Sequence, residues 1–594
     1  ANGQPVFRLR VMPWSDDVSG NISKQYNPHT NIYAVSLNLP HKKLSQEYFV
    51  RFCSTSGNAS SSEQFAALAH DFAEDIWHEA YDCELETDIL FQIILHVLPA
   101  DNPQQAETSS HVGGKGNLPC RRDHIGGTSV YKESETGYTA FFSPGTPRTV
   151  ESTLQTIYQQ LWLACLGDND HLAQSYAQTG VKDKLSQYWI VQLCALASEK
   201  HKTLFYDPVL QDPRLADKRI KGEERKAVKL DIKQKVQQEL WKWLITQPPE
   251  EFANLELNDS ARNDIRPGIH YNFLLSIKGL NPHSDTPVEI LHSYQLGADK
   301  YIWYDTNKGW DKSKDELFSI HLQASSIDGL SIPPIRGRYM LQYKNSLIGK
   351  HFKTLQQLGI FHLQNLASEP LFNIWKATGE LGAYIWVTEI RNLQLYLQDI
   401  KILINNLLDA WALYDPHRIL VKMKLHILTH LPDDIRRFGL PILYSTEIFE
   451  CWNAIFRMCS ILSNHLSPSH DIAITLAEME VFKHMVSGGW WKNENGQMVQ
   501  AGQQVQNFLV RSSELQRRLG WVTHNTNYVL YPLSYTHQKR LRQFVHWDEI
   551  DVLYNIPEPP HISHSRTWDL CKSIVAQSKD VCSEGSWVFF RHKD

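Results

Sequence analysis

The stretch Val6-Phe-Arg-Leu-Arg-Val-Met-Pro-Trp-Ser-Asp16-Asp17-Val-Ser-Gly20-Asn21 sets apolar residues at Val6, Leu9, Val11 and Trp14 among arginines, then breaks into paired carboxylates and a polar turn. This imperfect alternation predicts a half-buried strand that delivers acid to its end. The runs Asn31 to Leu39 and Glu47 to Cys53 have the same character and predict a meander of three strands. A helical pattern follows from Ser61 to about Tyr81. The run Ile89 to Leu98 is then almost continuously apolar, as in a strand buried on both faces, and it too ends in acid, at Asp101.

Three strands, a helix and a fourth strand, with carboxylates ending the first and fourth, is the order in which a ribonuclease H-like core presents its first two metal ligands. From Val150 the pattern turns helical, with apolar residues three and four apart in Val150 to Leu166, Lys182 to Lys200, Lys221 to Ile245, Leu317 to Ala324, Leu371 to Trp386 and Arg391 to Leu413. The expected fold is therefore α+β: a ribonuclease H-like mixed sheet interrupted by a large all-helical insertion, with a short C-terminal β segment. Residues 1–150 would form the first part of the core, 151–425 the insertion, 426–495 the return to the core, and 496–594 a helical and β tail. Gly585 to Asp594 still reads as a strand at the chain's last residue, as in a fragment of a longer protein.

The composition is that of an ordinary globular protein, 42% apolar and 21% charged, so disorder cannot dominate. No run of 18 uncharged apolar residues occurs, which argues against a membrane role. The nine cysteines lack close-pair spacing and read as free thiols of a reducing compartment. A net charge of −6 excludes a uniformly basic coat for nucleic acid, leaving local clusters. Lys218 to Lys235 is interleaved with acids at helical spacing and reads as a solvated face. Lys539, Arg540 and Arg542 form another cluster. Arg336, Arg338, Lys344, Lys350 and Lys353, with Tyr339 and Tyr343 among them, are the candidate DNA-contacting surface.

Several polar residues have two readings. Between Ser110 and Pro147 a Gly, Ser, Thr and Pro-rich loop carries Cys120, Asp123 and His124, directly after the second acid-bearing strand, where binding chemistry tends to sit. Glu289 and His292 fall on one helix face, either as a metal pair or as a hydrogen-bonded helix start. His426 and His430 are four apart but have no third ligand nearby in sequence, too little for a zinc assignment. Glu447, Glu450 and Asn453 step along one side of a helix, where a first-turn glutamate is also expected from the helix dipole alone.

Asp16 through Asn27, Asp101-Asn-Pro-Gln-Gln-Ala-Glu107, Asp285-Thr-Pro-Val-Glu-Ile-Leu-His292, Tyr343 to Lys350, His430-Leu-Pro-Asp-Asp-Ile-Arg-Arg-Phe-Gly439, Thr446-Glu-Ile-Phe-Glu-Cys-Trp-Asn453 and Ser487-Gly-Gly-Trp-Trp491 form an ordered set. Over nearly the whole chain, this set resembles the transposase-related proteins of mushroom-forming fungi, relatives of the CACTA (En/Spm-type) DDE transposases. The resemblance implies a nuclear enzyme that cleaves and transfers DNA strands with two Mg²⁺ or Mn²⁺ ions, acting on transposon ends and target DNA as a homodimer or larger assembly. Its catalytic and metal-binding acids fall on Asp16, Asp101 and Glu450, with Asp17 and Glu447 as alternatives. Where the family has Cys-x-x-Cys after the second aspartate, this chain has Cys120-Arg-Arg-Asp123. The thiolate pair of a zinc site is thereby lost, with Asp123 and His124 the remaining candidate ligands. A decayed or domesticated copy acting as a DNA- or protein-binding scaffold is the alternative, and a helical interaction protein with incidental acids the second rival.

Overall fold

The computed structural model describes residues 3–19, 28–72, 76–217, 219–327, 329–330, 332–463 and 466–521, and beyond these only short strands at 544–545, 568–569, 573–575 and 581–583. The chain is a mixed α+β protein that divides into two compact units, Ala1–Ala298 with Glu380–Thr523, and Asp299–Gly379 with His524–Asp594. Residues 151–298 and 380–425 belong to the same unit as the sheet.

That sheet has five strands, β1 (Val6–Ser19), β2 (Pro28–Ser36), β3 (Arg51–Ser56), β4 (His78–Asp82) and β5 (Thr87–Leu95), in the spatial order β3-β2-β1-β5-β4. β1, β2 and β3 are the antiparallel meander, whereas β1 and β5 run parallel from Val6↔Leu90 to Val11↔Leu95. The parallel pair decides where the acids go. Asp16 lies beyond Val11 and Asp101 beyond Leu95, so both chains carry their carboxylates toward the same end of the sheet. Pro13 is tolerated inside β1 because it lies past the last β1–β5 pair.

One expectation needs correcting. The segment 61–81 is not one helix: α1 (Ser61–Ala67), opened by a Ser60/Glu63 capping box, gives way to a short turn of helix and then to β4, an edge strand antiparallel to β5. Alternating half-buried and exposed residues suit that edge position.

Helices cover both faces of the sheet. On one side Ile32, Leu95 and Leu98 pack with Phe65 of α1 and Leu274. On the other, Met12, Trp14, Val18, Tyr33 and Val35 form a core with later helices described below. The helices α2 (Asn102–Thr108), α3 (Val150–Leu166), α4 (Lys184–Tyr206) and α5 (Gly222–Ile245) follow in order, and the last three share an apolar core around Leu161, Leu193 and Leu240. Among the described residues no helix is long and apolar enough to cross a membrane. Cys53, Cys83, Cys120, Cys165, Cys194, Cys451 and Cys459 are all free thiols.

The second unit contains Trp303, Phe318 and Trp375 at its core, and Gly337–Gln342 and Gly349–Leu358 are helical. Paired strands at Ser573–Val575 and Val581–Ser583 form a short C-terminal two-stranded sheet. The basic cluster at 539–542 and the strand-like run 585–594 lie outside the described residues.

Candidate functional site: an acid cluster and a buried Cys/Asp/His/His group

The third acid is placed by aromatic packing. Helix α6 (Met423–Ile427) precedes α7 (Glu447–Leu462) and α8 (Pro468–Val486), and α7 lays Phe449, Trp452 and Phe456 on the sheet. Trp14 stacks between Tyr33 and Phe449 at 5.3 and 5.6 Å, and Tyr33 meets Trp452 edge-on at 4.5 Å. Glu450 follows Phe449 in α7, and its charge acts on Asp16 while that of Asp101 acts on it, which brings the three acids into one neighbourhood.

The three carboxylates feel one another. Burial, then the charges of Asp101 and Glu450, push Asp16 up to about 8, and burial with the charges of Glu289 and Asp101 raises Glu450. One Asp101 oxygen accepts the Gln104 backbone N–H at 2.7 Å, capping α2 while the residue still contributes to the cluster. Asp17 faces elsewhere: it is exposed and accepts the Thr30 hydroxyl at 2.8 Å. Glu447 is half-buried at the start of α7, and the largest carboxylate charges acting on Asp16 are those of Asp101 and Glu450.

A histidine joins the acids. Glu289 is completely buried; its Oε1 accepts the backbone N–H groups of Leu291 and Thr446, both at 2.9 Å. Its Oε2 accepts the His292 backbone N–H at 2.7 Å and the ring Nδ1 at 2.9 Å. Glu289 is thus the satisfied helix-start acid of the plainer reading, but it turns His292 Nε2 toward Glu450 Oε1, 3.7 Å away. Burial opposes charge on His292, yet Glu289, Glu450 and Asp101 raise its pKa. The segment Ile290–Asp299 is π-helical, a conformation that often marks a functional position.

The second group is the main departure from the sequence reading. Cys120, Asp123, His426 and His430 are all buried, and one ligand atom from each lies within 4.8 Å of the others. Asp123 Oδ2 is 3.3 Å from His426 Nε2 and 3.1 Å from His430 Nε2, and Cys120 Sγ is 3.6 Å from His430 Nε2. His124 is not a member; it is exposed, and its backbone N–H is bonded to Thr146. The supposed lost pair is therefore half of a four-residue set whose other half is His426-x-x-x-His430. The signal was present as two half-sets, but only folding joins residues so distant.

Supporting bonds orient these ligands. His426 Nδ1 lies 2.9 Å from the Phe141 carbonyl, leaving Nε2 for the centre, and the Arg122 N–H donates to Cys120 Sγ at 3.4 Å. Arg148, itself buried, donates to the carbonyls of Cys120 and Asp123, both at 3.0 Å. Burial opposes every charge here, yet the two histidines bring Cys120 down to about 6 and hold Asp123 well below the usual carboxylate range. Asp123 and Cys120 in turn lift His426 to about 10 and raise His430. Two anions facing two imidazoles in a closed pocket make a donor set in which a dication can replace the ring protons.

The candidate basic surface belongs to the second unit. Lys344 is neutralised by Asp315, with both contacts at 2.9 Å, and Arg336 lies over the Tyr339 ring at 4.6 Å.

Residues 528–594 match a family described as a domain of unknown function (DUF8590). No curated protein matches the chain. The family match begins after the last residue of both groups described above.

Proposed function

We propose that this chain is a transposon-derived DDE transposase of the CACTA-like kind, with a ribonuclease H-like core. It would hydrolyse a DNA phosphodiester to free a 3′-hydroxyl, whose oxygen then attacks a target phosphorus and displaces a target 3′-oxygen. The observation that carries this reading is that Asp16, Asp101 and Glu450, from a strand, a helix cap and a distant helix, come close enough for the charges of Asp101 and Glu450 to add to burial in pushing the Asp16 carboxyl up to about 8. Such crowding of half-buried carboxylates fits hard divalent ions. Two Mg²⁺ or Mn²⁺ held by these three acids would supply Lewis acidity to the attacking and leaving oxygens. His292, fixed by Glu289, balances and orients Glu450.

The Cys120/Asp123/His426/His430 group fits Zn²⁺: its mixed sulfur, nitrogen and oxygen donors number four and are enclosed, as in structural rather than catalytic zinc sites. On this reading the aspartate at 123 substitutes for a thiolate and the site is retained. The partners are transposon ends and target DNA in the nucleus, with Arg336, Arg338, Lys350 and Lys353 as candidate phosphate contacts and a homodimer or larger assembly as the working state.

The test is cleavage of transposon-end DNA by the full chain with Mg²⁺ or Mn²⁺, against Asp16→Asn, Asp101→Asn and Glu450→Gln. Metal-dependent cleavage that each substitution abolishes supports the proposal. DNA binding that is indifferent to the metal, without cleavage, would instead identify a scaffold descended from a transposase.

A further inference from the structure

One buried guanidinium ties the Cys/Asp/His/His group to the segments that carry the acids. Arg121, next to Cys120, is 1% exposed. Its Nη1 donates to Asn102 Oδ1 at 3.2 Å, its Nε to Thr286 Oγ1 at 3.1 Å, and its Nη2 to the carbonyls of Thr286 at 3.2 Å and Pro287 at 2.9 Å. All these acceptors are neutral, so the side chain is held by the geometry of its fork. Asn102 adjoins Asp101, and Pro287 lies two residues before Glu289, which fixes His292 against Glu450. One side chain thus spans the two segments that set the acid cluster.

The surroundings make the clamp two-sided. Asn102 Nδ2 donates onward to Ser293 Oγ at 3.3 Å, and Gln105 Nε2 donates to the same Pro287 carbonyl at 2.8 Å. On the other flank Arg122 pairs with Asp434 Oδ1, whose Oδ2 accepts the Val288 N–H at 2.7 Å. His283 Nδ1 lies 3.0 Å from the Arg121 carbonyl. The loop that supplies two candidate metal ligands therefore holds the acid-bearing segments from behind.

We propose that Arg121 is a positioning residue through which the Cys120/Asp123/His426/His430 group sets the spacing of the acid cluster, and hence that cluster's affinity for divalent cations. The proposal rests on the reading that the acids bind such cations. Arg121 contacts no reacting atom; it acts through Asn102 and the Thr286–Pro287 segment.

The test uses the full chain with Co²⁺ in the Cys/Asp/His/His group, whose visible spectrum reports that site, and Mn²⁺ titrated into the acid cluster by electron paramagnetic resonance. Wild type should bind Mn²⁺ and Asp101→Asn should not; if wild type binds none, the acid-cluster reading itself fails. Arg121→Met should weaken Mn²⁺ by about tenfold or more, the scale on which a ligand's supporting bonds matter, with the Co²⁺ spectrum unchanged. Arg121→Lys, which keeps the charge but loses the fork, should remain weakened. Wild-type Mn²⁺ affinity in either variant overturns the proposal. Should Arg121→Met fail to fold, Asn102→Ala decides: about threefold or greater weakening with an intact Co²⁺ spectrum supports the clamp, and unchanged affinity refutes it.

Discussion

Replacing Asp16 by Asn should stabilise the protein when Mg²⁺ and Mn²⁺ are withheld, although it destroys the candidate catalytic centre. Asp16 titrates near 3.8 in an unfolded chain and at about 8 in the fold, because burial and then the charges of Asp101 and Glu450 disfavour its anion. Between those values the folded state binds more protons than the unfolded one. Stability therefore falls as pH rises through this window, and the loss is complete above about 8. At pH 7 about three pKa units at 1.36 kcal/mol each set a ceiling of about 4 kcal/mol. Partial exposure of the side chain and the weaker bond that a neutral amide oxygen accepts from the Asp17 N–H, 2.8 Å long in wild type, reduce the expected gain to about 2 kcal/mol. Chemical denaturation from pH 4.5 to 8.5, with the Cys/Asp/His/His group loaded, measures it. The gain of Asp16→Asn over wild type should vanish near pH 4 and be largest near pH 8, and added Mn²⁺ should reverse the order by stabilising wild type alone. A variant less stable than wild type at pH 8 without Mn²⁺ would refute the argument that like charge and burial are concentrated on Asp16.

Three further outcomes are expected. Cys120→Ala or His430→Ala should each lose one equivalent of bound metal by elemental analysis, whereas His124→Ala should keep it. Glu450→Gln should lower metal-dependent cleavage by more than the roughly 100-fold that loss of a ligand's supporting bond costs, and Glu447→Gln should retain most of it in the same assay. Trp452→Ala, which empties the contact between α7 and the sheet, should cost about 3–5 kcal/mol in thermal or denaturant unfolding and weaken Mn²⁺ binding by displacing Glu450.

Glu47–Phe49 of the expected third strand is a 3-10 turn and β3 begins only at Arg51, but β1, β2 and β5 were legible from their apolar runs, and the long helices from their three-and-four spacing. β4 was not, because a five-residue edge strand with few apolar residues is masked by the helical pattern before it. Asp16 and Asp101 could be read from their place after apolar runs, although β1 continues past Asp16 to Ser19 and Asp101 caps α2 beyond β5; the parallel β1–β5 pair carries both to one edge. The role of Glu289 could not, because its four donors are mostly backbone N–H groups that leave no mark in sequence. The Cys/Asp/His/His group was hidden by distance: Cys120 and Asp123 were candidate ligands in one loop and His426 and His430 a histidine pair starting 303 residues beyond Asp123, and only the fold joins them.

That distance has a consequence during synthesis. Asp123 and His426 are 303 residues apart. A ribosome adding roughly 5–20 residues per second therefore separates the two halves of the group by roughly 15–60 s. Glu450 emerges later still. A nascent or prematurely terminated chain holds Asp16 and Asp101 but neither completed constellation, so the capacity to cut DNA that we propose would arise only once Glu450 has been made.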